Sequence, residues 1–229
     1  MRPRAFVITA ALAVAACGGA AVAPSSSPSP TAITTARPSA SPTPAHLPVP
    51  SGAFGFAVAD GSKAVIRVNE QVAGVALPGE AVVTTTVMDG EFVLLPDGSF
   101  APGSKIRADL ERLKSDNDLR DEWIKFNTLL TSQYRYAQFT PTRLSGVPLP
   151  LPATGTWNAK LEGTMKIRTT EKPVTWDLAV SRDGSKTTAG GAIVFQFGDY
   201  GMAVPANRLI LSVKDEVRLR VDLVVNDFR

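Results

Sequence analysis

The chain has 229 residues, and its 24 lysines and arginines nearly balance its 21 aspartates and glutamates. The two signs alternate along the chain, as in KDEVRLRVD, which excludes the clustered basic surface of a nucleic-acid-binding protein. One cysteine, Cys17, and one histidine, His46, are too few for an internal disulfide, a Cys-His catalytic pair in the folded part, or a typical zinc or copper site.

The first 16 residues have the pattern of an export signal peptide. Arg2 and Arg4 precede a short apolar run, AFVITAALAVAA, which ends in small residues. The run falls short of the roughly 20 apolar residues that a membrane-spanning helix needs, so cleavage is expected. Removal of residues 1–16 leaves 22 basic against 21 acidic residues, which makes the mature protein nearly neutral.

Cys17 directly follows Val14-Ala15-Ala16, an arrangement that resembles the lipobox of bacterial lipoproteins. That resemblance implies that the Cys17 thiol is lipidated and that Cys17 becomes the N-terminus after cleavage. We therefore predict an extracytoplasmic protein, anchored through this lipid to the bacterial cell membrane, in the periplasm or at the cell surface. The alternative is a plain secretory signal, with Cys17 removed or left as a free thiol.

Residues 17–50 are rich in Pro, Ser, Thr and Ala and contain almost no large apolar side chains. Such a composition cannot bury enough surface to offset the entropy of ordering the chain, so disorder is predicted. With a lipid on Cys17, the segment would be a tether of about 3.1 Å per residue when extended. His46 lies within it, and no fixed geometry is expected for its ring.

Residues 51–229 have the composition of a single globular domain. KAVIRVNEQV, PVTWDLAV and EVRLRVDLVV alternate apolar and polar residues, which is the period of half-buried antiparallel strands. Turn signals such as LPGE, MDGE, PDGS and RDGS separate the strands. The pattern predicts a mainly β domain, either a sandwich or an up-and-down barrel.

One stretch, ADLERLKSDNDLRDEWIKFNTLL, is rich in helix formers but is interrupted by KSDND. We predict a strand over residues 104–113 and a short helix over residues 119–129, with Asp118 as its N-cap. A calcium-binding loop needs a turn-forming glycine and a later bidentate acid, and this stretch has neither at the required position. Helix capping and ion pairs are predicted for its carboxylates instead, between Asp116, Asp118, Asp121 and Glu122 and the basic residues Lys114, Arg120 and Lys125.

An eight-stranded barrel encloses an interior that side chains either fill or leave open for one small ligand. Strand parity selects candidates for a ligand-lining face, although the same residues would also form an ordinary core. These lumen candidates are Ile66, Val68, Leu161, Met165, Ile167, Trp176, Leu178, Phe195, Phe197, Leu219 and Val221.

From Ser62 onward the chain resembles the YceI-like family, in the stretches GSKAVIRVNEQVAGVALPGEAV, LPDGSFAPGSKIRADLERLKSDNDLRDEWIKFNTLLTSQYRYAQFTP, LEGTMKIRTTEKPVTWDLAV and FQFGDYGMAVP. The resemblance implies a lipocalin-like antiparallel β-barrel of about eight strands with one short helix. It also implies a carrier of polyisoprenoid chains, such as quinone or polyprenol tails. The sequence departs from the family pattern in YRY at residues 134–136 and in RTTE at residues 168–171, where different turns are expected.

The expected function is that of a membrane-tethered lipoprotein that binds a long-chain isoprenoid or a fatty-acid-like lipid in an apolar lumen. A ligand-free structural or interaction module of the cell envelope, with a filled barrel, is the alternative. An enzyme acting through paired carboxylates is disfavoured, because nothing in the sequence singles out such a pair. No catalytic residue, metal or cofactor is predicted, and the sequence leaves open whether the domain forms a homodimer.

Overall fold

The computed structural model describes residues 46–74, 76–206 and 210–228. The predicted signal peptide, the lipid attachment at Cys17 and the first part of the predicted tether therefore lie outside the described residues. The strands are β1 (Phe54–Val58), β2 (Lys63–Val72), β3 (Gly79–Thr85), β4 (Met88–Leu94), β5 (Lys105–Asp109), β6 (Tyr136–Ser145), β7 (Thr154–Ile167), β8 (Thr170–Asp183), β9 (Lys186–Phe195) and β10 (Ile210–Phe228). The helical segments are the α-helix α1 (Asp118–Trp123), a π-helical turn (Ile124–Leu129), and 3-10 turns at Leu110–Arg112 and Phe197–Tyr200. Within the described ranges, no helix is long and apolar enough to cross a lipid bilayer.

Eight strands close into an antiparallel barrel. β1 pairs with β4, and the pairing continues in sequence order from β4 through β5 to β10. The ring closes because β10 pairs back with β1, with Gly55 opposite Phe228. β2 follows β1 along the same edge of β10, with Ile66 opposite Leu219, and β3 pairs with β2. The predicted fold class, a mainly β barrel of about eight strands with one short helix, is confirmed.

Ser62 lies in the break between β1 and β2 and is only 2% exposed. Its hydroxyl donates to the carbonyl oxygen of Ala59 at 2.8 Å and accepts a hydrogen bond from the N–H of Val224 at 2.9 Å. The side chain thus supplies the partner that the β10 backbone would otherwise lose at the break. For this reason β10 can run for 19 residues with β2 beside its first part and β1 beside its last.

Aromatic side chains fill one end of the barrel, which we call the closed end. Phe56, Leu94 and Val225 form its buried centre. The rings of Phe56 and Phe92 stack with centroids 5.2 Å apart, and Phe100 meets Phe92 edge-on at 6.0 Å. The closed end lies where β1 meets β4 and the last residues of β10.

Arg182 of β8 covers the closed end and is 6% exposed. Its guanidinium donates to both carboxylate oxygens of Asp227, at 2.9 and 2.5 Å, and to Thr187 Oγ1 at 2.9 Å. It also lies 5.6 Å from the ring centroid of Phe56, within cation–π range. The bidentate pair compensates the charge that burial would otherwise destabilise.

The strand predicted over residues 104–113 is shorter than expected. β5 ends at Asp109, because its carboxylate accepts a hydrogen bond from the N–H of Glu111 at 3.0 Å and begins a 3-10 turn that buries Leu110. Burial alone would raise the pKa of Asp109, but hydrogen bonds from Arg135 and Glu111 hold it below its ordinary value. A buried carboxylate, and not the apolar pattern, therefore terminates this strand.

The predicted N-cap of the helix is also wrong by one residue. The N-cap is Asn117, whose side chain accepts a hydrogen bond from the N–H of Arg120 at 3.1 Å. Asp118 is the first helical residue and pairs instead with Lys114 at 2.8 Å. The expected helix over 119–129 divides into α1 and the wider π-helical turn.

His46 has a fixed position, contrary to the expectation for the tether. Its ring stacks on Phe228 with centroids 4.5 Å apart, and its Nδ1 lies 2.6 Å from Glu91 Oε1. The N–H of Leu47 donates to the other oxygen of Glu91 at 3.0 Å. The chain thus joins the barrel at its closed end.

Candidate functional site

The other half of the barrel interior is a cavity of about 800 Å³. Residues of β2 to β10, the helical segment 118–129 and the chain before β10 form its wall, which is mostly apolar. The structure places all eleven lumen candidates on this wall, while their contact with a ligand stays a prediction: Ile66, Val68, Leu161, Met165, Ile167, Trp176, Leu178, Phe195, Phe197, Leu219 and Val221.

Small side chains explain why this half is hollow. The cavity wall includes five alanines from five different strands, namely Ala64, Ala81, Ala108, Ala137 and Ala189. An alanine methyl group reaches far less deeply into a barrel than the phenylalanine rings of the closed end. The sequence leaves an open and a filled interior as alternatives. In the structure the barrel is filled at the closed end and open at the other end.

Buried side chains of β6, β7 and β8 form a closely packed part of the wall. Trp176 is 5% exposed and meets Phe139 edge-on, with ring centroids 6.3 Å apart. Met165 and Ile167 are equally buried within the same cluster. Their inward direction follows from the two-residue period of the strands.

The helical segment 118–129 borders the open end of the cavity, which we call the mouth. Leu119, Trp123 and Phe126 line the cavity and are four and three residues apart, so they lie on one helix face. Leu119 and Phe126 are also 72% and 61% exposed, so this face reaches solvent. The lumen candidates chosen by strand parity omit this segment, although its helical spacing is the signal that identifies it.

Two charged side chains, Arg120 and Asp121, fasten the start of this segment. Arg120 donates to Glu70 of β2 at 2.7 Å, with side chains that are 19% and 9% exposed, and it also pairs with Asp116. Burial alone would lower the pKa of Arg120, but Asp116 and Glu70 raise it above its ordinary value. Asp121, 2% exposed, accepts hydrogen bonds from the N–H and hydroxyl of Ser115 at 2.9 and 2.6 Å.

The β7–β8 turn also reaches the mouth. It has two residues, and Arg168 adopts a φ of 55°, which is uncommon for a residue other than glycine. The Arg168 guanidinium donates to the carbonyl oxygen of Gly201 at 3.1 Å and to that of Thr128 at 3.5 Å. These contacts hold the turn at one of the positions where the sequence departs from the family pattern.

Thr128 places a buried polar group on the cavity wall. Its side chain is 5% exposed, and its hydroxyl oxygen is buried without a hydrogen-bond partner among the described residues. Burial of an unpaired hydroxyl costs about 1–3 kcal/mol, and this oxygen is not exposed to the cavity. Arg107, also on the wall, is already engaged: it donates to Asp89 at 2.7 Å, and this bond raises its pKa.

The sequence and the fold both match known proteins. A family model described as YceI-like domain matches residues 58–225. A polyisoprenoid binding domain from Saccharophagus degradans, implicated in plant cell wall breakdown, has a TM-score of 0.59 at 12% identity, covering 76% of this chain and 98% of its own. BcnA of Burkholderia cenocepacia has a TM-score of 0.52 at 15% identity, covering 71% and 95%. The YceI protein of Campylobacter jejuni has a TM-score of 0.52 at 12% identity, covering 69% and 91%.

At these identities the structural likenesses show the fold alone. No protein of curated function matches the sequence.

Glu70→Gln should loosen the helical segment at the mouth, because it removes the charge that Arg120 binds. A loss of about 1–2 kcal/mol corresponds to about 5- to 30-fold more frequent opening. Hydrogen–deuterium exchange of the amides in residues 118–129, read by mass spectrometry, measures this change. Glu80→Gln, which weakens a more exposed pair with Arg67, should leave these amides unaffected. Amide exchange rates in Glu70→Gln equal to those of the wild type would show that the Arg120–Glu70 pair does not hold the segment.

Proposed function

The chain belongs to the YceI-like domain family, and on this premise we propose that it binds a long-chain isoprenoid or a related lipid inside its barrel. The observation that carries the proposal is the apolar cavity of about 800 Å³, a volume typical of small-molecule sites. The description of the Saccharophagus degradans domain as polyisoprenoid binding supports this ligand class. The proposed role is binding and not catalysis.

The energetics favour a tail without specific polar contacts. Each buried methylene contributes about 0.8 kcal/mol, so a tail of ten or more carbons supplies a large apolar gain. Ordering the tail cancels much of that gain, and an affinity near the micromolar range is expected. The tail would lie along Leu219 and Val221 towards the closed end, with the head group at the mouth beside the helical segment 118–129.

The sequence supports the further proposal that the protein is an extracytoplasmic lipoprotein. In this proposal residues 1–16 are removed, Cys17 carries the lipid, and residues 17–50 tether the barrel to the membrane. Cells fed an alkyne-labelled fatty acid should label the wild-type protein and not Cys17→Ala. Mass spectrometry of the mature N-terminus provides the second reading. Labelling of Cys17→Ala, or an unmodified N-terminal peptide in the wild type, would exclude lipidation at Cys17.

Lipid binding itself is tested with tryptophan substitutions that fill the cavity. Leu161→Trp combined with Leu219→Trp should weaken binding of a fluorescent prenol at least tenfold, because the added rings occupy the space of the tail. The control is Val194→Trp, since Val194 is 63% exposed on the outer face of β9. Native mass spectrometry of the wild type purified from cells should show a bound hydrophobic mass. A ligand-free mass together with no uptake of prenol or fatty acid would favour a ligand-free envelope module.

Thr128→Val should stabilise the protein. The substitution removes a buried hydroxyl that has no partner among the described residues, so the free energy of unfolding in chemical denaturation should rise by about 1 kcal/mol or more. Affinity for a prenol should stay unchanged, because the Thr128 hydroxyl oxygen is not exposed to the cavity. Thr131→Val is the matched contrast: its buried hydroxyl donates to Glu111, so this variant should lose stability. A Thr128→Val variant that is less stable than the wild type would show that the Thr128 hydroxyl has a partner in the folded protein.

A further inference from the structure

Five large apolar side chains stand exposed around the mouth, and together we call them the rim. Two of them belong to the helical segment and line the cavity, two adjoin the lining residues Pro205 and Ile210, and one lies in the β2–β3 turn. They are Leu119 (72% exposed), Phe126 (61%), Val204 (37%), Leu211 (67%) and Leu77 (75%). The four most exposed of these side chains bury little of their surface on folding and therefore contribute little to stability.

The rim is continuous with the cavity wall. Leu119 and Phe126 belong to both, so an apolar path leads from the outer surface into the barrel. Clustered apolar side chains on a protein surface mark interaction sites. A lipid tail that leaves a bilayer along such a path avoids exposure to water, which is the main cost of its transfer.

We propose that the rim docks on a lipid bilayer, so that the mouth opens directly onto the membrane from which the ligand is taken. The proposal rests on the proposed function, because it assigns the source of the lipid that the cavity binds. The rim supplies the apolar contact, and the mouth faces the hydrocarbon of the bilayer.

Charges of both signs lie beside the rim, with Glu122 and Lys125 on the helical segment between Leu119 and Phe126. Asp116 and Asp118 precede Leu119 and are strongly exposed, but they pair with Arg120 and Lys114. The helical edge of the mouth therefore offers no basic cluster to an anionic surface. Docking should depend on apolar contact with a zwitterionic bilayer and respond little to salt.

The position of His46 allows this orientation. His46 stacks on Phe228, the last residue of β10, whereas Ile210 at the other end of that strand lines the mouth. The strand β10 is about 60 Å long at 3.3 Å per residue, and the barrel is shorter than this because its strands are tilted. The 29 residues from 18 to 46 span about 90 Å when extended, so a lipid on Cys17 leaves the mouth within reach of the same membrane.

The test uses the mature full-length chain with Cys17→Ser, so that no lipid anchor contributes. Flotation with phosphatidylcholine vesicles should recover this protein in the vesicle fraction. Leu77→Ser combined with Leu211→Ser should reduce vesicle binding at least tenfold, because two rim side chains are lost. Val194→Ser removes an equally exposed apolar side chain from the barrel wall and should bind vesicles like the parent.

Farnesol, which reaches the protein through water, reports on the cavity independently of the rim. The double rim variant should bind farnesol with unchanged affinity, since neither Leu77 nor Leu211 lines the cavity. Failure of all proteins to bind farnesol would count against the proposed function, while vesicle binding would still test the rim. Vesicle binding equal to that of the parent in the rim variant overturns the docking proposal. A dimer in sedimentation that the rim variant abolishes, with no vesicle binding by the parent, would likewise overturn it and make the rim a contact between copies.

Discussion

β10 is hydrogen-bonded along both edges, to β9 on one side and to β2 and then β1 on the other. This pairing closes the sheet into a ring, and closure forces every second side chain of each barrel strand to point inwards. The free volume of the interior then depends on the sizes of those side chains. Phenylalanines around Phe56 fill one end, and alanines such as Ala64 and Ala81 leave a cavity at the other.

The two ends are held by different kinds of interaction. The closed end has aromatic stacking and the buried pair of Arg182 with Asp227, which favour a single rigid packing. The mouth is bordered by a short helical segment that is fastened by Arg120 to Glu70 and by Asp121 to Ser115. Such a segment can open locally without unfolding the barrel.

The low identity to other YceI-like proteins has a physical explanation. Barrel closure requires alternation of apolar and polar residues and a workable set of turns, and many sequences meet both conditions. For this reason folds agree at 12–15% identity. Binding of an apolar tail also places few constraints on the sequence, because shape and burial replace specific polar contacts.

The sequence alone determined the period of the strands and hence the inward direction of their side chains. For this reason the eleven lumen candidates, such as Trp176 and Leu219, all lie on the cavity wall. Local hydrogen bonds were harder to anticipate, because the caps at Asp109 and Asn117 compete with close alternatives of similar propensity.

Three features were decided only by the tertiary structure. They are the position at which the cavity ends, the hydrogen bonds of Ser62 across the break beside β10, and the location of the helical segment at the mouth. These features arise from contacts between residues far apart in the chain, such as Arg120 with Glu70. Periodicity describes a strand or helix by itself, whereas cavity volume is the space left between all of them after closure.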